Sequence, residues 1–467
     1  MTRIALLSSE PVRERMAGIG LRYLELARRL PAAAGVETVL VSPAPPEATR
    51  AALAAAEAAE GEPGEGHDDA APAGAVEVRA FRRGGLARLL ADCDAAVAQG
   101  QLANDLVVEC PRLPTAIDLY DPWLIENVHY REELGLAPYE NDHASWVLQM
   151  SRGDFFLCSS DEQRGFYLGF LAALGRVNPD RLAGDPDLAG LIAPVPFGVP
   201  QWLAPHRPWL PERRPGERRV LFGGLYDWYD PWTLLAALER LGGADGDYAA
   251  GGWRLLLIAN PNPGSTPQRL LREVERECRR RGWWGSRVEL LDWVPADRRW
   301  DLLRDVDCLA APHRPSLETR LSLRTRILDA AAAGCPAIVT EGGTASRLVA
   351  EHGAGWVVPP EDPEALAAAL RAALADPEAA DRRRRGAAGL AARFAWDRVL
   401  APLADFCRAP HVDPTKERFA FRPPTVAPPA GLAERAGRRL GRWRRKLAGA
   451  GRSEPRPAGS GPAEPPR

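Results

Sequence analysis

Short apolar runs alternate with helix-length amphipathic runs along most of this 467-residue chain, and that alternation constrains the fold more than any other feature. Ile4–Ser8, Thr38–Ser42, Val76–Phe81, Ala95–Gln99, Thr115–Asp118 and Phe155–Ser159 read as strands, with helical patterns at Leu21–Leu30, Gly85–Leu90 and Ala144–Met150 between them. Apolar strands separated by amphipathic helices predict a parallel sheet covered on both faces. The Pro-rich stretch 199–216, VPQWLAPHRPWLPERRPG, breaks the rhythm and reads as a linker. A second series follows, with strands at Val220–Gly223, Arg254–Ala259, Val288–Leu291, Cys308–Ala310, Ala337–Thr340 and Trp356–Val358. Helices at Thr233–Leu241, Pro267–Arg281, Leu321–Ala333 and Pro363–Ala375 fall between them.

The expected organisation is therefore an α/β chain with two Rossmann-like domains, 1–203 and 218–392, joined by a linker at 204–217. The segment 57–73 carries six acids, no Lys or Arg and several Gly and Pro, and reads as a disordered insertion. In the helical run at 393–420, Phe394, Trp396, Val399, Leu400, Leu403 and Phe406 form an apolar stripe; a Pro/Ala-rich and basic tail follows at 421–467. A length of 467 residues is too great for one core. The net charge of −2 supplies no field that would draw the whole protein to nucleic acid. Seven scattered cysteines show no metal-ligand spacing, and neither a secretion signal nor a membrane-spanning apolar run appears. The expected location is cytoplasmic.

Chemistry concentrates in Arg324–Gly343, RTRILDAAAAGCPAIVTEGG. Asp329 lies on a helix one turn before a Gly-Cys-Pro break, where a carboxylate can accept two ribose hydroxyls. The strand Ala337–Thr340 then runs into Gly342 and Gly343, whose backbone can approach a phosphate at a helix start. The same stretch also fits an ordinary helix-turn-strand unit. Asp118, Tyr120, Asp121 and Glu126 cluster at the carboxyl end of a strand, where α/β sheets bind ligands; Asp121 there either contacts a sugar hydroxyl or caps a helix. Ser159, Ser160 and Asp161 follow another strand, one of them as a helix cap. His313 is the histidine nearest the expected donor region. Gly18-x-Gly20-x-x-Tyr23 lacks the third glycine of a dinucleotide fingerprint, which argues against an NAD enzyme.

Taken together, the tandem Rossmann-like pattern, the Asp329 block and the terminal stripe resemble the retaining GT-B glycosyltransferases of family 4, over roughly residues 1–408. The resemblance also rests on IALLSSEPVRERMAGIGLRYLELARRL at the N-terminus, PFGV at 196–199, VELLDWVP at 288–295 and FAWDRVL at 394–400. It implies two domains facing each other across a cleft and a last helix crossing back to the first domain. It further implies sugar transfer from a nucleoside diphosphate donor to a glycan or lipid-linked acceptor, with no cofactor and no metal. By the same resemblance the backbone at Gly18 and Gly20 faces the donor phosphates.

Two departures set this chain apart. The family's paired carboxylates lie eight residues apart, but Leu321 stands eight before Asp329 and the nearest acid is Glu318. The family's Arg and Lys after the first strand of the second domain are absent from FGGLYDWYDP, 222–231. Arg324 and Arg326 are the candidates to replace that charge, since a guanidinium fork fits phosphate oxygens; they also fit solvated helix-face residues. The site residues expected are Asp118, Asp121 and Glu318 for catalysis, with Gly18, Gly20, Gly224, Tyr226, Arg324, Arg326, Asp329, Gly342 and Gly343 for the donor. An alternative is a catalytically silent GT-B domain that binds a glycan or a partner protein. In 432–452 Leu432, Ala436, Leu440, Trp443 and Leu447 form a stripe among eight cations and one acid, Glu434. This reads as a helix on an anionic membrane surface or as a disordered basic tail.

Overall fold

The computed structural model describes residues 1–60, 76–81, 84–241, 252–260 and 267–421, and those of Met1–Ala420 form one compact unit. The first sheet has seven strands: β1 Arg3–Leu7, β2 Glu37–Ser42, β3 Glu77–Ala80, β4 Ala95–Ala98, β5 Thr115–Asp118, β6 Phe155–Cys158 and β7 Ile192–Pro194. The second has six: β8 Arg218–Phe222, β9 Trp253–Ile258, β10 Val288–Leu291, β11 Cys308–Ala311, β12 Ala337–Thr340 and β13 Gly355–Val358. Their orders are β3-β2-β1-β4-β5-β6-β7 and β10-β9-β8-β11-β12-β13. Neighbours pair in parallel, as in the register Ile4↔Ala95 and Leu309↔Ala337. The central strands AAVA, FFLC and AIVT are buried along their whole length, which is why they read as continuous apolar runs without polar alternation.

Each sheet reverses its winding once, between β1 and β4 and between β8 and β11. At such a reversal the helices on either side diverge and leave a crevice beyond the carboxyl ends of the strands. Two crevices of this kind face one another here. β7 escaped the sequence pattern because it is only three residues long and ends in Pro194.

The expected helix Leu321–Ala333 is in fact two, Leu317–Leu321 and Thr325–Ala332. Ser316 caps the first by accepting from the Thr319 N–H at 3.0 Å, and Ser322 and Arg324 between them have extended backbone. Arg324 thus precedes the second helix and does not sit on its face. Of the insertion expected at 57–73, Glu57 and Ala58 belong to the Pro46–Ala58 helix, and 61–73 lies outside the described residues.

After the second sheet the chain returns through helices Pro377–Arg393, Trp396–Val399 and Ala401–Arg408. The stripe Phe394, Trp396, Val399, Leu400, Leu403 and Phe406 is buried, and each such side chain stabilises the contact by about 1.5–3 kcal/mol. Phe406 stacks on Phe155 of β6 at 5.3 Å, and Trp396 meets Phe197 at 5.2 Å. Beyond it Asp413 accepts a hydrogen bond from Arg176 at 2.7 Å and forms an ion pair with Arg181 at 2.7 Å, and Lys416 pairs with Asp154 at 2.7 Å. The basic stretch 432–452 falls outside the described residues, among which no helix is long and apolar enough to cross a membrane.

Candidate functional site

A cavity of about 660 Å³ lies between the two sheets, at the carboxyl ends of β1, β5 and β8. That volume is in the range of small-molecule sites. Its two walls differ in charge. On the first-sheet side the acidic and basic residues are Glu10, Asp121 and Glu126; on the second-sheet side they include Arg299, Arg324, Arg326 and Asp329.

The first wall is built around the Gly18–Ala34 helix. That helix starts at Ala17 with no capping side chain of its own. Glu10, on the loop after β1, supplies the missing acceptor: its carboxylate takes the Ala17 N–H at 2.7 Å and the Gly20 N–H at 2.9 Å. A negative charge at a helix start satisfies otherwise orphaned donors and complements the helix dipole. Gly20 must stay a glycine here, since a Cβ would lie 2.9 Å from the Met16 Cβ, whereas Gly18 has open space and lines the cavity.

Asp118 is not on the wall. It is buried and bonded through both oxygens to Arg22, at 2.6 and 3.2 Å. Arg22 also donates to the carbonyls of Val195 and Pro196 and lies 4.5 Å from the Tyr120 ring. Asp118 therefore clamps the first helix to the sheet. Asp121 does line the cavity and accepts from Gln99 Nε2 at 2.9 Å, so it caps no helix. Burial, with help from Asp118 and against the Gln99 bond, raises its carboxyl to about 6. Glu126 is pushed well above the usual carboxylate range by burial and by Asp121 and Glu318, with Arg324 opposing.

On the second wall Asp329 points into the cavity with one oxygen engaged: Oδ1 accepts from Arg299 Nε at 3.0 Å and from Trp300 Nε1 at 3.1 Å. Oδ2 makes no hydrogen bond to the described residues. Arg324 forms a forked ion pair with Glu318, which is fully buried. The expected catalytic carboxylate and the expected phosphate cation thus neutralise each other, which removes Glu318 from the cavity wall. Arg326, two residues on, lines the cavity and has no carboxylate partner among the described residues. It sits in the first turn of the Thr325–Ala332 helix, which no side chain caps.

Where the family has its cation pair, this chain places an aromatic shelf. Tyr226 stacks on Trp228 with centroids 5.0 Å apart and planes 2° from parallel, and burial raises the Tyr226 hydroxyl to about 12. Gly223, and not Gly224, lines the cavity beside them. Trp293, at the end of VELLDW, also lines it, and its indole N–H is buried without a partner among the described residues. His313 is buried behind Tyr229 at 4.2 Å, outside the cavity lining. Its ring is held well below the usual histidine range by burial and by Arg324, against a backbone hydrogen bond. Ser160 caps the Asp161–Ala173 helix. Gly342 and Gly343 line a separate groove of about 570 Å³ with Glu162 and Arg347, and a Cβ on Gly343 would lie 2.2 Å from the Thr319 carbonyl oxygen. Among the described residues no three of His, Cys, Asp and Glu gather to hold a metal ion.

Glu10, Arg299, Trp293 and Ser322 are wall residues that sequence reasoning passed over. Only Glu10 left a trace: a helix beginning at Ala-Gly with no Ser, Thr, Asp or Asn before it needs an acceptor from elsewhere.

Tyr120 joins the walls by donating its hydroxyl to the Leu323 carbonyl at 2.8 Å. At the rim Arg15 pairs with Asp292, and Arg269 bridges Asp227 at 2.6 Å and Glu133 at 3.1 Å.

Residues 219–376 match the family model described as glycosyl transferases group 1. No curated protein matches the chain. Among solved structures, sucrose-phosphate synthase from Thermosynechococcus elongatus superposes with a TM-score of 0.59 at 17% identity, over 87% of this chain and 98% of that one. HepE of Anabaena, solved with UDP and glucose, gives 0.55 at 16% identity, over 87% and 99%. WaaG, a glycosyltransferase involved in lipopolysaccharide biosynthesis, gives 0.55 at 15% identity, over 87% and 100%. At such identities the likeness carries the fold alone. The protein has the GT-B fold, and within it residues 219–376 are similar to the glycosyl transferases group 1 family.

Proposed function

We propose that the protein is a retaining glycosyltransferase that moves a sugar from a nucleoside diphosphate sugar to a glycan or lipid-linked acceptor, in cell-surface polysaccharide or glycolipid synthesis and without a bound metal. One observation carries the reading: Arg326, an uncapped helix start and Asp329 face one cavity, within the domain that matches the glycosyltransferase model. Asp329 Oδ2 would accept ribose hydroxyls and Trp293 would meet the base. Arg326 and the backbone N–H groups at the start of the Thr325–Ala332 helix would hold the diphosphate. The bond from the anomeric carbon to the diphosphate oxygen breaks, the acceptor hydroxyl oxygen bonds to that carbon on the same face, and its proton passes to the departing phosphate. Charge then develops on the phosphate oxygens, so donors already aimed there lower the barrier. HepE, whose structure holds UDP and glucose, supports a donor of this class.

Incubation with nucleotide sugars tests the reading. Release of nucleoside diphosphate from one of them is expected, and silence across a full panel overturns it. The Arg324–Glu318 neutralisation favours a second reading, a catalytically silent GT-B module; carbohydrate binding without release would establish that one. We further propose that 432–452 brings the protein to the cytoplasmic face of an anionic membrane. Co-sedimentation with anionic vesicles, lost on ending the chain at Ala430, is the expected result; equal binding by both chains contradicts it.

A further inference from the structure

The acceptor side of the cavity carries Glu10, Asp121 and Glu126 and no Lys, Arg or His among its described lining residues. Arg22, behind that wall, is buried and spent on Asp118, and Arg324, which acts on Glu126 from the second wall, is spent on Glu318. Glu10 is already satisfied by two backbone N–H groups, and by holding them it closes the helix start to any phosphate. Asp121 has a single amide donor, and the Glu126 carboxylate accepts no hydrogen bond from the described residues. A second feature marks the same space as a ligand site. Ser322 is 6% exposed and lines the cavity, and its buried hydroxyl has no partner among the described residues.

Two carboxylates that feel each other's charge in a buried, partly apolar space repel each other and lose hydration. A ligand bearing positive charge removes both costs, and an N–H₃⁺ group can donate to both carboxylates and to a serine oxygen at once. A phosphate on this wall would add a third or fourth negative charge where no described lining residue of that wall is a cation. Resting on the glycosyltransferase reading, we infer that the acceptor is an amine-bearing sugar or cyclitol, not a sugar phosphate, and that Asp121 and Glu126 grip its ammonium group.

Binding calorimetry on the full chain tests this with glucosamine, galactosamine and mannosamine, each beside its N-acetyl and its 6-phosphate counterpart. At least one amine is expected to bind about ten-fold or more tighter than its N-acetyl form, as for a charge-assisted hydrogen bond. In Glu126→Gln that preference should shrink to about two-fold while the thermal midpoint stays within a few degrees of wild type. Asp121→Asn repeats the test should Glu126→Gln fail to fold. Equal binding of amine and N-acetyl forms, tighter binding of a phosphate, or no binding of any amine overturns the proposal. UDP and GDP titrated in the same series separate the two claims. Nucleotide binding without amine preference fails only this inference, and amine binding without nucleotide binding fails only the donor reading.

Discussion

Two helices begin at the same cavity, and they begin differently. The Gly18–Ala34 helix has its first N–H groups occupied by the carboxylate of Glu10; the Thr325–Ala332 helix has no capping side chain and carries Arg326 in its first turn. A helix start is a natural anion site, so the first is an anion site already filled by the chain itself and the second is one left open. The walls follow suit, acidic around the first helix and arginine-bearing around the second. On the proposed function, such a division would place the diphosphate in the second domain alone and leave the first domain for a ligand that is not an anion. By resemblance the Gly18 and Gly20 backbone would also have faced the donor phosphates, and Glu10 stands in that role.

The comparison breaks most visibly at the two arginines. Glu318→Ala would leave the buried Arg324 charge without its partner, at a cost of about 3–5 kcal/mol in urea unfolding. Arg326→Ala should leave unfolding unchanged within about 0.5 kcal/mol. A similar loss from both would mean that Arg326 is a structural residue as well. For nucleoside diphosphate affinity the order reverses: Arg326→Ala should weaken binding by about 1.5–3 kcal/mol, the range for a charged hydrogen bond, with little change for the nucleoside, as read by titration calorimetry.

Glu10 sharpens the contrast between the helix starts. Glu10→Ala should destabilise the fold by about 1 kcal/mol, as for loss of a cap. It should also add a second site for inorganic phosphate, visible as a larger rise in thermal midpoint than wild type shows. Phosphate protecting both proteins equally would show that Glu10 does not hold the site closed.

A further effect is expected on pH dependence. The Asp121 carboxyl is raised to about 6 in the folded protein, above its ordinary value near 3.9. The folded state therefore holds this proton more tightly than the unfolded chain does. Asp121 contributes no penalty below pH 4, and its ionisation removes stability as pH rises from about 4 to 6. Asp121→Asn should be flatter than wild type across that window and the more stable of the two above it. Parallel stability curves from pH 4 to 7 would contradict the raised value.

Much of the architecture was legible because parallel strands buried on both faces leave unbroken apolar runs: Thr115–Asp118, Val288–Leu291 and Ala337–Thr340 begin and end where the pattern placed them. The site was legible in its members and not in its pairings. Glu318 and Arg324 each carried a plausible role, but an ion pair across a break between two helices depends on Ser322 and Arg324 being extended, and nothing local in the sequence announces that. Arg299 reaches Asp329 from 30 residues away, one arginine among many in a chain with two lysines. Glu10 was hidden by sequence distance, because it caps a helix that starts eight residues later.

The assignment of the diphosphate to the open helix start is tested most directly by the thermal midpoint of the full chain with UDP, GDP, dTDP and ADP, each beside its nucleoside. A diphosphate at about 100 times its dissociation constant stabilises the fold by about 2.7 kcal/mol. The account predicts that at least one diphosphate raises the midpoint clearly more than its nucleoside does and that Arg326→Ala abolishes the difference. No rise with any of the four, or the same rise in Arg326→Ala, would contradict it.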